Sequence, residues 1–370
     1  MRNGGACMSK PLYQTIYEDL KHQIETGTVA INDTLPTEKE LSTTYSVSTI
    51  TVKKALDLLK EDGYIVRKPR KGSVVVTNKK ADIVPNKLIF GLIITNFTDF
   101  FGAQILRTVL ETNTEEINFI VKISYGDPDR ENELIQELIE MGIQGLILLP
   151  TSSEYTSPKI LELISKNFPI VVIDRLMANL PICSVQTDSF AAAKELTNYL
   201  FAKHHDKIGL ITSDSSVSTI DERVNGFLSA HVDANRAVSQ KQILSRIDSV
   251  VPSSSRKIED DVALIVAFLQ KNPEITALFT TEYNIALLAK SAIEQLGKQV
   301  PHDFSVVCFD HPTVNIFDLN AFIFTHIEQD QTAIGKHAID LLLTKIAHPD
   351  TIEKINLGYR LIEGDSVISR

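Results

Sequence analysis

The sequence has few cysteines, and their positions exclude the structures that cysteines usually build. Only Cys7, Cys183 and Cys308 occur in 370 residues, with no spacing typical of a zinc site. An odd and sparse set of this kind argues against a disulfide framework. We therefore expect a protein of a reducing compartment, the cytoplasm, with no disulfide and no zinc site. No other metal and no cofactor are expected either.

Long apolar runs and phosphate-binding loops are also missing. No apolar run approaches the roughly 20 residues of a membrane-spanning helix, and residues 1–10, MRNGGACMSK, lack the apolar core of a signal peptide. Neither a GxxxxGKS/T loop nor a GxGxxG loop occurs, and residues 213–216 (SDSS) have no evident paired base. We therefore expect neither a membrane protein nor an enzyme.

The charge is negative overall but is unevenly distributed. The net charge is −10, while residues 1–80 hold 13 Lys and Arg against 9 Asp and Glu. The remaining residues hold 24 Lys and Arg against 38 Asp and Glu. A basic amino-terminal part on an acidic body is the asymmetry expected where one end of the chain contacts nucleic acid.

Residues 11–63 carry the pattern of three helices. An amphipathic helix is predicted over 11–26, and Thr37 with Glu40 forms the capping box of a second helix. Ser48 can cap a third helix, whose buried face is formed by Val52, Ala55, Leu56 and Leu59. Because each residue rotates the helix by about 100°, the residues that point away from this face are Ile50, Lys53, Lys54 and Asp57.

Two β-branched runs, 64–66 and 74–76, flank a basic tip and complete a winged helix-turn-helix pattern. Its third helix can enter the major groove of DNA, where phosphate contacts position it and base contacts specify the sequence. The DNA-binding candidates are Thr37, Glu38, Ser48, Thr49, Ile50, Thr51, Lys53, Lys54, Arg67, Lys68, Arg70, Lys71 and Gly72. The alternative is a three-helix packing module with a solvated basic hairpin.

The pattern changes after a polar linker, residues 78–87 (NKKADIVPNK), which separates a domain at 10–77 from residues 88–370. Buried-strand runs such as LIFGLIIT then alternate with helical patterns, including a helix over 258–271 and strands over 183–187 and 305–309. This alternation predicts an α/β fold with two doubly wound parallel-sheet lobes. Lobe 1 is predicted at about 88–187 and 312–347, and lobe 2 at about 188–311 and 348–370.

Polar and aromatic side chains follow the predicted strands, at the sheet edge where ligands bind in such folds. They are residues 96–101, Arg175, Asp188, Arg223, Glu282, Tyr283, Asp310 and His311. Carboxylates and arginines hydrogen-bond vicinal hydroxyls, and aromatic rings stack on C–H groups, so the set suits a polyhydroxylated ligand. Alternatively, Asp174 and Arg175 form an ion pair, and Phe100 and Phe101 belong to the lobe core.

The segment LPTEKELSTTYSVSTITVKKALDLLKEDGYIVRKPRKGSVVV resembles the winged-helix domain of the GntR regulators. Their pattern runs LPSE-x-x-LA, then VSR-x-TVR-x-AL, then L-x-x-G, then a basic wing, and the likeness covers most of residues 11–77. Thr49 and Lys53 stand where arginines are common, and Arg70 replaces a wing glycine; lysine cannot reproduce the two-pronged hydrogen bonding of arginine. The resemblance implies binding to operator DNA.

Residues 88–370 resemble the effector domain of the lactose-repressor family, which has the bilobal fold of periplasmic sugar-binding proteins. The likeness lies in FPIVVIDR, ERVNGFLSA, ITALFTTEYNIALLAK and IEQDQTAIGKHAIDLLL. It implies the effector-binding residues Phe101, Gln104, Arg175, Arg223, Tyr283 and Asp310, and Glu282 is a further candidate because it stands beside Tyr283. Arg223 is the arginine of the family's R-x-x-G-F motif, while Tyr283 takes the place of an aspartate.

The pairing of these two domains is similar to that in the arabinose-responsive repressors of Gram-positive bacteria. It implies a homodimeric transcription regulator, a repressor that a monosaccharide releases from double-stranded operator DNA. L-Arabinose is the first ligand that it suggests, and another pentose or a deoxyhexose is the next. The alternatives are a response to a nucleobase or a phosphorylated metabolite, and ligand-dependent activation. A transport-type sugar-binding protein would have no use for the basic wing.

Overall fold

A computed structural model of the chain describes residues 11–68, 72–76, 87–96, 98, 100–112, 116–153, 157–177, 179–214, 217–312 and 321–370. The chain divides into two compact units, residues 1–87 and 88–370. The predicted linker therefore falls almost wholly outside the described residues. Within these ranges, none of the helices combines the length and apolar character needed to cross a membrane.

The first unit is a winged helix-turn-helix, as predicted. Its elements are α1 (Leu12–Glu25), α2 (Glu38–Thr44), α3 (Thr49–Glu61), β1 (Ile65–Lys68) and β2 (Gly72–Val75), and the two strands pair antiparallel. Its core is formed by Ile16, Leu20, Ile24, Leu35, Leu41, Val52, Ala55, Leu56, Leu59, Tyr64, Ile65 and Val75.

The helix boundaries of this unit follow from local side-chain hydrogen bonds. The Glu40 backbone N–H donates to Thr37 Oγ1 at 3.3 Å, and the Thr37 N–H donates to Glu40 Oε2 at 2.7 Å. These two bonds form the predicted capping box of α2. Ser48 Oγ accepts from the Thr51 N–H at 3.2 Å and so caps α3. Gly63, with φ +76°, follows α3 in the left-handed conformation that favours glycine.

The second unit contains two six-stranded sheets with helices on their faces, which confirms the predicted α/β class. The first part of the chain forms β3 (Leu88–Ile94), α4 (Ala103–Glu111), β4 (Ile117–Ile123), α5 (Pro128–Glu140), β5 (Gly145–Leu148), α6 (Pro158–Ser165), β6 (Ile170–Ile173) and β7 (Cys183–Thr187). These strands join β13 (Lys354–Leu357) in the order β13-β7-β6-β5-β3-β4, all parallel.

The second sheet is built from the middle and the end of the chain. Its lobe contains α7 (Ser189–Ala202), β8 (Ile208–Ser213), α8 (Ser218–Asp233), β9 (Ile243–Ile247), α9 (Ile258–Lys271), β10 (Ala277–Thr280), α10 (Tyr283–Gln295), β11 (Ser305–Phe309), β12 (Thr325–Gln329) and β14 (Tyr359–Ile362). The order is β14-β12-β11-β10-β8-β9, with β14 antiparallel to β12 and the other strands parallel.

The predicted lobe boundaries are wrong after residue 311. Strand β12 belongs to the second sheet and not to lobe 1, while β13 belongs to the first sheet and not to lobe 2. Helix α11 (Gln331–Ala347) does pack in the core of the first lobe. Within the described residues, the chain therefore crosses between the lobes after β7, after β12 and between β13 and β14. Strands β13 and β14 are four-residue edge strands with too little apolar periodicity to reveal which sheet each joins, whereas β12 is an interior strand whose sheet is shown by its pairing with β11.

Candidate functional site

The outer face of α3 carries side chains that the sequence predicts for DNA recognition. Ile50 is 79% exposed, and Thr49 and Lys53 are also exposed. Lys54 is exposed as well, but its Nζ lies 3.9 Å from the centroid of the Tyr13 ring of α1. The amino-terminal half of α3 thus presents a small polar residue, an apolar residue and two lysines, a set that fits phosphate and base contacts.

Other predicted DNA contacts are engaged in local hydrogen bonds. Ser48 Oγ and Thr51 Oγ1 lie 2.8 Å apart, and the Thr37 hydroxyl donates to Glu40 Oε2 at 2.8 Å. These hydroxyls hold the ends of α2 and α3 in place. A phosphate contact from these hydroxyls would have to share or replace their capping hydrogen bonds.

The described part of the wing carries Arg67 and Lys68 on β1 and Gly72 on β2. Lys68 and Gly72 are exposed, but Arg67 Nη2 lies 3.1 Å from Asp57 Oδ1 and 3.4 Å from Glu38 Oε1. The other two predicted wing contacts, Arg70 and Lys71, lie outside the described residues.

The second unit contains a cavity of about 110 Å³ between its two sheets. Six of the seven residues predicted to bind an effector line it: Phe101, Arg175, Arg223, Glu282, Tyr283 and Asp310. The remaining lining residues are Thr95, Phe100, Leu149, Asp174, Val217, Thr219, Ile220 and Gln329. Both lobes contribute side chains, so a ligand here would contact both.

Gln104 is the predicted residue that does not line this cavity. It lies on α4 and faces an adjoining cavity of about 460 Å³, which shares Phe100, Asp310 and Gln329 with the smaller one. The larger cavity is lined mainly by the segments around the lobe crossings at 328–333 and 357–360. Phe101 precedes α4, whereas Gln104 lies in its first turn, and the two side chains therefore need not face the same cavity.

Two aspartates reach the cavity from left-handed backbone positions. Asp174 follows β6 with φ 63°, and Asp310 follows β11 with φ 61°. Aspartate tolerates this conformation better than most residues, and backbone strain of this kind concentrates at ligand sites. Both carboxylates are buried. Corresponding strands of the two lobes therefore each end in a strained aspartate beside the same cavity.

The two arginines of the cavity are held by main-chain oxygens. Arg175 Nη1 donates to the Thr151 carbonyl at 3.0 Å, and Arg223 Nη1 donates to the Thr281 carbonyl at 2.7 Å. The Arg223 guanidinium carbon also lies 4.0 Å from the centroid of the Phe309 ring. The Nε–H groups of both arginines are buried without a hydrogen-bond partner. Each is therefore a fixed donor that a ligand can satisfy.

Acceptors without partners stand beside these donors. Asp174 Oδ1, Glu282 Oε2 and Gln329 Oε1 are buried and make no hydrogen bond. Gln329 Nε2 donates to both carboxylate oxygens of Asp310, at 3.1 and 2.9 Å. A buried polar atom without a partner is costly, so these atoms indicate where a ligand with both donors and acceptors is expected to bind.

Burial dominates the electrostatics of the three carboxylates. It raises the pKa of Asp174 and Glu282, although Arg223 and Arg175 act in the opposite direction. Burial also raises the pKa of Asp310 to about 7, against the effects of Arg223 and the hydrogen bond from Gln329. Three carboxyl groups and two guanidinium groups thus share one cavity. Because their pKa values are raised, the carboxyl groups stay protonated to a higher pH than exposed ones, which reduces the negative charge of the cavity.

The raised pKa of Asp310 predicts a pH-dependent stability. The folded chain keeps this proton to a higher pH than the unfolded chain, so the free energy of unfolding is expected to fall between about pH 4 and 7. The slope for one proton is at most about 1.4 kcal/mol per pH unit, and the contribution ends above about pH 7. Urea unfolding of residues 88–370 at several pH values measures it.

The Asp310→Asn variant should show a flatter dependence of unfolding free energy on pH over that window. Asp214→Asn, which changes an exposed carboxylate after β8, serves as the matched control and should leave the dependence as in the unmodified chain. An equal slope in Asp310→Asn and the unmodified chain would contradict the assignment.

An aromatic contact closes one side of the cavity. The rings of Phe100 and Tyr283 are 5.3 Å apart between centroids, although Phe100 belongs to the first lobe and Tyr283 to the second. Tyr283 also contacts the His311 ring at 5.0 Å. Phe101 packs partly against the core of the first lobe, so the alternative interpretation of that residue holds alongside its place at the cavity.

Sequence reasoning missed several residues of the cavity. Thr95, Leu149, Thr219 and Ile220 are ordinary core residues by their sequence context. Gln329 is the last residue of β12, a strand that the sequence pattern does not predict. The only signal in the sequence is the polar run that follows it, which is typical of the end of a strand. Asp174 was considered as an ion-pair partner of Arg175, whereas Arg175 Nη1 donates to main-chain oxygens.

Comparison with known families follows the division of the chain. Residues 12–75 match the family described as bacterial regulatory proteins, gntR family. Residues 197–367 match a periplasmic binding protein-like domain. The chain therefore combines a gntR-type helix-turn-helix domain with a periplasmic binding protein-like domain, as the resemblances implied. No group of three or more metal-ligating side chains occurs in the residues that the structure describes.

Curated relatives include transcriptional repressors. The arabinose metabolism transcriptional repressor of Geobacillus stearothermophilus is 26% identical over 91% of this chain and 91% of its own length. The HTH-type transcriptional repressor PurR of Aliivibrio fischeri ES114 is 29% identical over 70% of this chain and 75% of its own length. The ribose operon repressor of Haemophilus influenzae is 26% identical over the same shares.

Solved structures share the fold of the larger unit. The transcription regulator CcpA of Lactococcus lactis superposes with a TM-score of 0.63 at 21% identity, over 76% of this chain and 99% of its own. A LacI family transcriptional regulator from Enterococcus faecium, solved with bound ribose, gives a TM-score of 0.62 at 20% identity over the same shares. At these identities the likeness concerns the fold alone.

Proposed function

We propose that this chain, which joins a gntR-type helix-turn-helix domain to a periplasmic binding protein-like domain, is a sequence-specific transcriptional repressor. A small neutral ligand, bound between the two lobes of residues 88–370, releases it from operator DNA. The single observation that carries the ligand proposal is the cavity whose buried Nε–H donors and carboxylate acceptors lack partners. The protein acts as a homodimer in the cytoplasm and has no catalytic role.

The DNA-binding part of the proposal rests on the exposed face of α3 and on the wing. Thr49, Ile50 and Lys53 are exposed at the amino-terminal half of the helix, the part that reaches base edges when such a helix lies in the major groove. A homodimer would place two such helices on half-sites of a pseudo-palindromic operator.

The charges of the cavity favour a neutral polyhydroxylated ligand. Two guanidinium groups face three carboxyl groups, so the cavity has no excess of positive charge for a phosphate or carboxylate. A hydroxyl group both donates and accepts, so vicinal hydroxyls can satisfy the Arg223 Nε–H and the Asp174 carboxylate together. The relative that aligns with 91% of the chain is named an arabinose metabolism repressor, and L-arabinose is therefore the ligand we propose.

Release of the protein from DNA by a ligand requires that the ligand bind one arrangement of the lobes more tightly than the other. Arg175 comes from the first lobe, while Arg223 and Asp310 come from the second, so a ligand that contacts all three stabilises a closed arrangement. The difference in its affinity for the two arrangements sets the change in operator affinity, and a coupling of about 1–3 kcal/mol is typical.

The proposal is tested with the full chain and a DNA duplex enriched from a randomised pool by the chain itself. We expect L-arabinose to raise the thermal midpoint, because a ligand that binds only the folded state stabilises it. We also expect L-arabinose to weaken duplex binding by about 5- to 150-fold. D-Ribose, L-fucose, hypoxanthine and ribose 5-phosphate are measured alongside.

Each other outcome identifies an alternative. A response to hypoxanthine or to the phosphorylated sugar alone would overturn the neutral-sugar proposal and leave the DNA-binding proposal standing. Tighter duplex binding with L-arabinose would make the protein a ligand-dependent binder and not an induced repressor. Failure to enrich any duplex would overturn the repressor proposal itself.

A further inference from the structure

Arg67 joins three elements of the DNA-binding unit through one guanidinium group. It lies on wing strand β1, and its Nη2 is 3.1 Å from Asp57 Oδ1 on α3 and 3.4 Å from Glu38 Oε1 at the start of α2. Its Nε and Nη2 atoms are shielded from solvent, whereas the Asp57 and Glu38 side chains are 46% and 43% exposed. The Arg67 side chain is itself 32% exposed, so it is its Nε and Nη2 edge that faces the unit.

This position is poorly suited to a phosphate contact. Nη2 already faces two carboxylates, so reaching a phosphate would require the guanidinium to leave both. The two carboxylates would then stand uncompensated beside the exposed face of α3, where they would repel the DNA backbone. The neighbouring Lys68 and Lys53 are exposed and bear no such constraint.

We propose that Arg67 is a positioning residue for DNA recognition. It fixes the wing against α3, and it holds the Glu38 side chain at the amino terminus of α2 in the orientation in which DNA is recognised. It makes no phosphate contact of its own. This inference rests on the proposed DNA-binding function, and it removes Arg67 from the direct DNA contacts expected from the sequence.

Salt dependence distinguishes the two roles. The affinity of the full chain for the duplex that the unmodified chain enriches is measured at several concentrations of KCl, from about 50 to 300 mM. Each phosphate contact contributes about 0.9 to the slope of log affinity against log salt concentration, so the slope counts such contacts. Arg67→Ala is expected to weaken binding about tenfold, with a slope reduced by clearly less than one, since only the uncompensated Asp57 and Glu38 change the charge facing the DNA. Lys53→Ala is the comparator for a phosphate contact and should reduce the slope by about one. Lys271→Ala on α9 controls for charge alone.

Arg67→Lys and Asp57→Asn sharpen the test. A lysine is a point charge that cannot bridge two carboxylates as a planar guanidinium does, so Arg67→Lys should recover only part of the lost affinity. Asp57→Asn should weaken binding slightly or leave it unchanged. A slope reduced by about one in Arg67→Ala, as in Lys53→Ala, together with tighter binding and a steeper slope in Asp57→Asn, would overturn the inference, because that pair of results means that Arg67 contacts phosphate once it is released.

A second measurement needs no DNA and separates this inference from the proposed function. Hydrogen exchange of the backbone amides of β1 and β2 is compared between the unmodified chain and Arg67→Ala. We expect faster exchange in the variant, because the wing loses its ion pairs to α2 and α3, while Ile65 and Val75 still hold it in the core. Equal exchange rates would overturn the positioning role even if the chain binds DNA, and faster exchange would support it even if no duplex is enriched.

Discussion

Replacing Arg223 by alanine is expected to weaken the response to ligand strongly while DNA binding is retained. The side chain is 5% exposed, its Nη1 donates to the Thr281 carbonyl, and its Nε–H is directed into the cavity without a partner. Hydrogen bonds to charged groups contribute about 1.5–3 kcal/mol each. Loss of one such bond weakens ligand affinity by about 10- to 150-fold, which lowers the thermal shift at every ligand concentration and moves its onset to a higher concentration by the same factor.

The same substitution changes the charge of the cavity. Arg223 lowers the pKa values of Asp174, Glu282 and Asp310, which burial raises, and Arg175 acts in the same direction on the first two. Without Arg223, these carboxyl groups are expected to keep protons to a still higher pH, so the variant should lose stability as well as ligand affinity. The thermal midpoint of the variant without ligand is therefore recorded before any ligand titration.

Two further variants make the result interpretable. Arg246→Ala changes an exposed arginine on β9 and should retain both the ligand response and duplex binding. Arg223→Lys keeps the charge but cannot reproduce the guanidinium fork, so a weak response should remain only at high ligand concentration. A full ligand response in Arg223→Ala, at the affinity of the unmodified chain, would exclude the cavity as the effector site.

Much of the fold follows from local sequence patterns. The capping residues Thr37 and Ser48, the four apolar residues of α3 and Gly63 specify the helix-turn-helix within a stretch of about 30 residues. In the second unit, the buried strands β7 and β11 and helix α9 have the predicted ends, because apolar runs bounded by polar residues mark them without reference to the rest of the chain.

The segments after residue 311 required tertiary information. Strand β13 is half exposed and pairs with β7, while β14 pairs antiparallel with β12 in the other sheet. Both are four-residue strands on either side of Gly358, and local pattern does not distinguish the sheet that each joins. Gln329 could not be assigned to the site for this reason, since it reaches Asp310 only because β12 lies beside β11.

The ligand site was predictable in part for a related reason. Residues directly after the strands, such as Arg175 and Asp310, lie at the cavity because parallel strands bring their carboxyl ends to one edge. Gln104 was placed by resemblance, and its position on α4 directs it to the adjoining cavity. The structural role of Arg67 was not predictable, since a basic residue in a wing carries no local signal that two carboxylates from other elements surround it.

Gly226 sits one turn after Arg223 in α8 and should not tolerate alanine. A Cβ atom there would lie 2.3 Å from the Phe190 carbonyl oxygen and 2.8 Å from the Ala193 Cβ, both on α7. In an exposed helix the same substitution would stabilise by up to about 1 kcal/mol. Here backbone of α7 is the obstacle, and overpacking costs of about 1–3 kcal/mol exceed that gain. The two helices are therefore expected to separate.

Whether the thermal midpoint falls or rises shows which is larger, the cost of overpacking or the gain in helix propensity. The substitution is also expected to affect ligand binding. Gly226→Ala should lower the thermal midpoint of residues 88–370, by somewhat less than the roughly 2–4 °C per kcal/mol that holds for domains of about 150–250 residues. It should also weaken ligand binding, since a shift of α8 moves Arg223 from the Thr281 carbonyl. Gly358→Ala is the matched control, because a Cβ atom there has no neighbour within 4 Å. An unchanged or raised midpoint in Gly226→Ala would mean that α7 yields without cost, and the close approach of the two helices would then not be what positions Arg223.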